Sequence, residues 1–182
     1  MNNPKTRELE SGLENILASP TDNGVLKMIV RRPETDQREI LTDGVLDEIE
    51  GLVGDNWIMR GSGKTTDGSA HPDMQLNLMN SRVIDLISGD SERWSLAGDQ
   101  LFVDMSLTPS NLPPGTRLCI GEAEIEITAE PHLGCDKFIA RFGRDAMAFV
   151  NDDRGRSYNL RGINARVVKS GKISTGDRLV KS

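Results

Sequence analysis

Arg117-Leu118-Cys119-Ile120-Gly121-Glu122-Ala123-Glu124-Ile125-Glu126-Ile127-Thr128 reads as two strands folded back on one another through Gly121-Glu122. In the second strand Ala123, Ile125 and Ile127 alternate with Glu124, Glu126 and Thr128. A period of two sends the apolar set to one face and the polar set to the other, the pattern of a strand with one side in a core and one side in water. The same grammar of short strands and turn residues runs outward in both directions. Upstream, Gln100–Met105 is a strand, and Gln75–Asn80 is another, with Leu76 and Leu78 on one face. Val25–Val30 follows the turn signal Asp22-Asn23-Gly24 and ends near Pro33. Asp43-Gly44 is expected to turn, and Gly51 and Gly54 to flank Leu52-Val53. Downstream, Ala165–Val168 and Arg178–Lys181 read as closing strands.

Helices are few and short. Leu9, Leu13, Ile16 and Leu17 recur at helical spacing and predict a helix over 5–19, stopped by Pro20. Ser81 is placed to cap a helix carrying Val83, Ile84 and Ile87. Cys135, Phe138, Ile139 and Phe142 predict another, followed by a short one near Ala146–Asn151. No repeat of solenoid length and no linker divides the chain. The expected fold class is therefore mainly β: a single barrel-like β domain over 1–182, with short helices at its periphery.

Composition sets outer bounds. A chain of 182 residues lies within the range of one domain and buries about two-thirds of its unfolded surface without a covalent staple. Two cysteines cannot form a disulfide framework. A net charge of −6 argues against a general nucleic-acid partner. Met1–Glu10 is polar and charged, unlike a signal peptide, and no apolar run reaches membrane-spanning length. The expectation is a protein without nucleic acid or membrane as partner, in a reducing, cytoplasmic setting.

Candidate chemistry centres on Cys135. If Gly134 caps the helix, the sulfur stands at a helix N-terminus, where unpaired N–H groups and the macrodipole favour a thiolate. A thiolate is a nucleophile and a soft metal ligand. The same residue also lies on an apolar stripe, and a buried free cysteine only packs. Cys119, in a strand, is expected to be buried structure. Lys137 opposes the dipole of the helix it opens, so either the helix starts later or Lys137 has a partner or a ligand. Arg154, Arg156, Arg161 and Arg166 form a basic run in an acidic chain. They are either a solvated face or, with Lys137, an anion site. Gly61-Ser62-Gly63-Lys64-Thr65 lacks the full phosphate-loop spacing and reads better as a surface loop within 60–73. His132 and Cys135 make an H-x-x-C pair, but two histidines and two scattered cysteines fall short of a structural zinc site.

The stretch Pro131-x-x-Gly134-Cys135-x-Lys137 resembles the cysteine motif of MOSC domains, named for the C-terminal domain of molybdenum cofactor sulfurase. Ala97-Gly98-Asp99-Gln100-Leu101 and Asn111-Leu112-Pro113-Pro114-Gly115 through Gly121 resemble the family's G-(D/E)-N-L and N-L-x-x-G … L-x-I-G run. Leu160–Val168 and Gly171–Asp177 are similar to its closing segment, and Gly51-Leu52-Val53-Gly54-Asp55 to its early G-L-x-G-D turn. The resemblance is strongest over 97–181 and looser over 24–96, and it is to a stand-alone member. The family's His-Gly-Gly motif is replaced by His71-Pro72-Asp73-Met74-Gln75, in which Pro72 removes a donor and fixes φ where glycine would permit close approach.

The resemblance implies a barrel-like domain with Cys135 beside a cleft. It also implies a molybdenum-pterin cofactor with Cys135 as metal ligand, and Lys137, Arg161 and His71 as candidate cofactor contacts. Pyridoxal phosphate has no place in this chain alone. Three functions stay open. The first is a molybdenum-cofactor oxidoreductase acting on N-hydroxylated compounds. The second is a sulfur carrier with a persulfide on Cys135. The third is a non-catalytic binding module. The first two imply a partner, an electron-transfer protein or a sulfur donor respectively.

Overall fold

The computed structural model describes residues 3–182. Among the described residues eleven strands are formed: β1 (Gly24–Arg31), β2 (Glu39–Leu41), β3 (Asp43–Asp47), β4 (Gly51–Leu52), β5 (Leu76–Asn80), β6 (Leu101–Asp104), β7 (Arg117–Ile120), β8 (Ala123–Ile127), β9 (Ile163–Lys169), β10 (Gly171–Ser174) and β11 (Arg178–Lys181). The helices are α1 (Thr6–Leu17), α2 (Trp57–Arg60), α3 (Ser81–Ser88), α4 (Asp136–Asn151) and α5 (Asp153–Ser157), with 3₁₀ turns at Pro72–Met74 and Ser91–Ala97.

The order β1-β11-β7-β8-β9-β5-β6 returns to β1, so seven strands close into a barrel, with β2 added on β1. Closure comes from the short pairing Gly24↔Leu179 and Val25↔Arg178. β7 and β8 are the antiparallel pair expected, in the register Leu118↔Ile125 and Ile120↔Ala123. Only β5 and β6 run parallel among the barrel pairs of the described residues. Parallel neighbours need a crossover, and α3 with the 3₁₀ turn after it supplies one. A second, three-stranded sheet, β10-β3-β4, packs Leu46, Leu52 and Ile173 into the same core as the barrel.

Alternation divides the core in two. Leu26, Leu76, Leu78, Leu101, Val103, Leu118, Ile125 and Leu179 belong to the cluster that fills the barrel. Val30, Met79 and Phe102, on β1, β5 and β6, belong to a second cluster with Leu9 and Ile16 of α1, Val83, Ile84 and Ile87 of α3, and Phe138, Phe142 and Ala146 of α4. Three helices thus cover one outer flank of the barrel. That flank holds α4 and, at its start, Cys135.

Three local expectations are corrected. Asp43 and Gly44 do not turn; they open β3 and pair with Ser174 and Ile173 of β10. A Cβ at Gly44 would lie 3.1 Å from Leu52 Cδ1, so the glycine serves close packing inside a sheet. Asn80, not Ser81, caps α3: its side chain accepts from the Arg82 N–H at 2.8 Å. Cys119 is exposed rather than buried. Leu118 and Ile120 take the inward positions of β7, so the residue between them faces out, beside Glu124 of β8 and Val180 of β11. Elsewhere, Gly143 (φ 89°, ψ 171°) breaks α4, so the two helical pieces expected there are joined through a kink. None of residues 61–71 is buried, as a surface loop requires. No helix among the described residues is long and apolar enough to cross a membrane.

Candidate functional site

Cys135 is the N-cap of α4, one residue later than the Gly134 cap expected. Its backbone is extended (φ −127°, ψ 178°), and its carbonyl accepts the first helical bonds, from Phe138 at 2.8 Å and Ile139 at 3.2 Å. Phe138, Phe142 and Ala146 take the buried stripe, and Cys135 itself is exposed. The packing reading of this cysteine therefore does not hold. The segment before it is pinned from the far end of the same helix. Asn151 Oδ1 accepts from the Gly134 N–H at 3.0 Å, and Asn151 Nδ2 donates back to the Gly134 carbonyl at 3.3 Å.

Cys135 opens onto a cleft of about 290 Å³. Two buried ion pairs stand at its inner wall. Arg161, just before β9, donates through Nη1 to Asp99 Oδ2 at 2.8 Å and Oδ1 at 3.0 Å, and through Nη2 to the Ala97 carbonyl at 3.0 Å. Its guanidinium lies over the Phe138 ring, 4.9 Å from the centroid. Asp99 is fully buried and also bonds His132 Nε2 at 2.7 Å. The second pair is Arg32 with Asp55, at 2.8 Å for both Nε to Oδ2 and Nη2 to Oδ1. Arg32 Nη1 also donates to the Gly98 carbonyl at 2.7 Å. Toward the mouth, Asp36 Oδ1 accepts from Lys137 at 3.0 Å and from Arg141 at 2.9 Å. Lys137 thus has the partner that its place in the first turn demanded.

Burial pushes the Asp99 carboxyl up, but the Arg161 guanidinium and His132 outweigh it and hold it at about 2. Burial, and then Arg161, push His132 below its ordinary value more than Asp99 raises it, so its ring is neutral at pH 7. A neutral ring facing an ionised Asp99 must carry its proton on Nε2. Arg38 is lowered by burial and then by Arg141 and Arg32, and Arg60 by burial and then by Arg32. The cleft's cations repel one another.

The residues lining the cleft include six cations, Arg32, Arg38, Arg60, Lys137, Arg141 and Arg161. Four carboxylates, Asp36, Glu34, Asp55 and Asp99, face or pair with them. Three polar atoms on this lining, Arg161 Nε, Arg38 Nε and Asn56 Oδ1, are buried with no partner among the described residues. The surplus of positive charge on the lining fits an anionic, polar ligand. Among the described residues no group of three or more His, Cys, Asp or Glu side chains could hold a metal. A metal here would have Cys135 as its one protein thiolate and take its other ligands from a cofactor.

Of the candidate residues, Cys135, Lys137 and Arg161 meet in this cleft. His71 is not in its lining; its Nδ1 accepts from the Asp73 N–H at 3.2 Å and caps the Pro72–Met74 turn. The rest of the basic run is spent elsewhere, Arg154 on Glu10, Arg156 on the Asn151 carbonyl, and Arg166 on Glu126 and Asp73. Asp99, Asp55, Arg32, Arg38 and Arg141 were not picked out as site residues from the sequence. Asp99 and Asp55 do lie in the quoted Ala97-Gly98-Asp99 and Gly54-Asp55 turns, where a signal was available.

The two exposed cysteines should differ in the reagent they prefer. Cys135 faces a cationic cleft and Cys119 is paired across the strands with Glu124. At low ionic strength iodoacetate relative to iodoacetamide should favour Cys135 over Cys119 about tenfold, and 0.5 M salt should flatten the ratio. Peptide mapping of alkylated protein measures it.

Neither a family model nor a curated protein matches the sequence. Solved structures do. YuaD from Bacillus subtilis superposes with a TM-score of 0.60 at 17% identity, over 88% of this chain and 96% of that one. YiiM from Escherichia coli gives 0.55 at 20% identity, over 87% and 69%. YiiM from Geobacillus stearothermophilus gives 0.53 at 15%, over 90% and 74%. These are MOSC-fold proteins, and the likeness establishes a MOSC-like fold for this chain.

Proposed function

We propose that this protein binds a molybdenum-pterin cofactor in the cleft beside α4, with the Cys135 thiolate as the protein's ligand to the metal. One observation carries the reading: an exposed cysteine at a helix N-terminus opens onto a cleft with two more cations than carboxylates. The soft sulfur suits the metal, and the surplus cations suit a cofactor phosphate. Lys137 and Arg141 of α4 and Arg38 before β2 would hold that phosphate. Arg161 has both terminal nitrogens engaged and its Nε is buried, so it presents no free donor to a ligand. Its larger role is to set the cleft wall through Asp99.

When bound, the cofactor supplies two-electron redox chemistry. The chain's residues orient it and fix its charge. On this reading the loaded protein is an oxidoreductase for N-hydroxylated compounds, supplied with electrons by a separate electron-transfer protein. The exposure of Cys135 also favours a second reading, a persulfide carrier charged by a sulfur donor.

Protein from a cofactor-replete host should contain molybdenum and pterin in near-equal amounts. Cys135→Ser should lose at least tenfold in molybdenum content, because a hydroxyl is a harder and weaker ligand. Metal affinity should fall with pH as the thiolate is protonated. Wild-type protein without molybdenum or pterin, but with cyanide-labile sulfur on Cys135, would overturn this reading in favour of the carrier.

A further inference from the structure

The mouth of the cleft already holds an anion, and it is the protein's own. Asp36, in the connection between β1 and β2, bridges Lys137 and Arg141 with a single oxygen, at 3.0 and 2.9 Å. Arg141 is steadied from the other side by the Leu96 carbonyl at 2.8 Å. Arg38, two residues beyond Asp36, adds a third cation, and its buried Nε has no partner among the described residues. Deeper in the cleft Arg32 is matched by Asp55 and Arg161 by Asp99, and Arg60 lies beside the first pair. At the mouth, three cations gather about the single carboxylate of Asp36.

Asp36 holds this place with little to keep it there. Its side chain and that of Lys137 are 59% and 58% exposed, so water and salt screen their pairing. Its backbone sits at φ 63°, a region that aspartate tolerates but does not prefer. Lys137 first, and then Arg141 and Arg38, hold its carboxyl below the ordinary value, so it stays ionised at neutral pH. A dianion offers the same cations more charge and a second and third acceptor oxygen.

We infer that Lys137, Arg141 and Arg38 form a subsite for a phosphate-like dianionic group, and that Asp36 is its intramolecular occupant, which the incoming group displaces. This rests on the phosphate contacts proposed above and adds the carboxylate that the incoming group must displace.

Inorganic phosphate is the probe, titrated at low ionic strength while the Arg141 and Lys137 side-chain resonances are followed. Asp36→Asn should tighten phosphate binding about five- to tenfold, the effect of removing a competing solvated ion pair. Glu34→Gln is the control: Glu34 also lines the cleft but is bonded to Gln37, not to a cation. It should change affinity by less than about twofold if the effect is local. Arg141→Gln should weaken binding at least tenfold in both backgrounds. Equal gains from the Asp36 and Glu34 variants would reduce the effect to the general field and overturn the inference. So would unchanged or weaker binding in Asp36→Asn, indifference to Arg141→Gln, or no phosphate binding in any variant. If these shifts appear in a protein that carries neither molybdenum nor pterin, the subsite stands and the cofactor reading falls. If the cofactor is bound and the shifts are absent, the subsite alone falls.

Discussion

Asp99→Ala is expected to lower the stability of this protein by about 3–5 kcal/mol, because it strands a buried arginine without its counter-charge. Asp99 is fully buried, and Arg161 is 5% exposed. Asp99 holds Arg161 through two oxygens and His132 through one, so one substitution breaks three bonds. Urea denaturation should show a lower midpoint at unchanged slope. The double variant Asp99→Leu with Arg161→Met should recover much of the loss, since a buried ion pair replaced by apolar groups costs little. If Asp99→Ala loses under about 1 kcal/mol, the pair is better solvated than its burial indicates.

The same pair dictates how stability depends on pH. The folded Asp99 carboxyl is held at about 2, below its ordinary 3.8, so its contribution is present above pH 3.8 and lost as pH falls through about 2. That contribution is on the order of 2 kcal/mol. His132 is also lowered in the folded state, from 6.5, so the unfolded chain takes up its proton first and stability begins to fall below pH 6.5. Acid should destabilise the protein in two stages. His132→Gln should remove the upper stage and leave a smaller lower one, since Arg161 still holds the Asp99 carboxyl down. A midpoint flat from pH 7 to 5 in wild type would contradict the neutral, buried histidine.

Phe138→Ala is the second large effect, at about 3–5 kcal/mol for an aromatic removed from a core. Phe138 is 1% exposed, packs on Phe142 with centroids 4.9 Å apart, and lies beneath the Arg161 guanidinium. It joins the packing of α4 to the wall of the cleft three residues from Cys135. Phe138→Leu should recover most of the stability but not the cation–π contact. Phosphate binding at the mouth, which rests on Lys137 and Arg141, should survive it. Thermal unfolding with the phosphate titration separates the two roles.

Much of this architecture is legible before any coordinate. Ala123, Ile125 and Ile127 alternate with acids, and each is buried in β8. Leu76 and Leu78 share a face, as expected, and lie in the barrel core. The helix that begins at Cys135 follows from the spacing of Phe138 and Phe142, which fill its buried side. The two caps were misplaced by one residue, a purely local error, whereas two other misreadings were caused by a neighbour distant in sequence. Gly44 looks like a turn residue until β10, about 130 residues later, pairs with it. Cys119 looks like packing until the register of β7 against β8 and β11 turns it outward.

Periodicity and turn chemistry are local, and by themselves they determined the seven barrel strands, the α1, α3 and α4 helices to within a residue or two at their starts, the mainly β class and the candidacy of Cys135. The cleft is different in kind. Asp99 and Arg161 are separated by 62 residues, Arg32 and Asp55 by 23, and Asp36 and Lys137 by 101. No spacing rule relates such pairs. Only the closed barrel, with α4 laid along its flank, brings them within hydrogen-bond reach, and burial makes the inner pairs obligatory while the exposed mouth keeps more cations than carboxylates. Charge identity is written in the chain, but which charge answers which is decided by tertiary proximity and by the cost of leaving a buried ion unpaired.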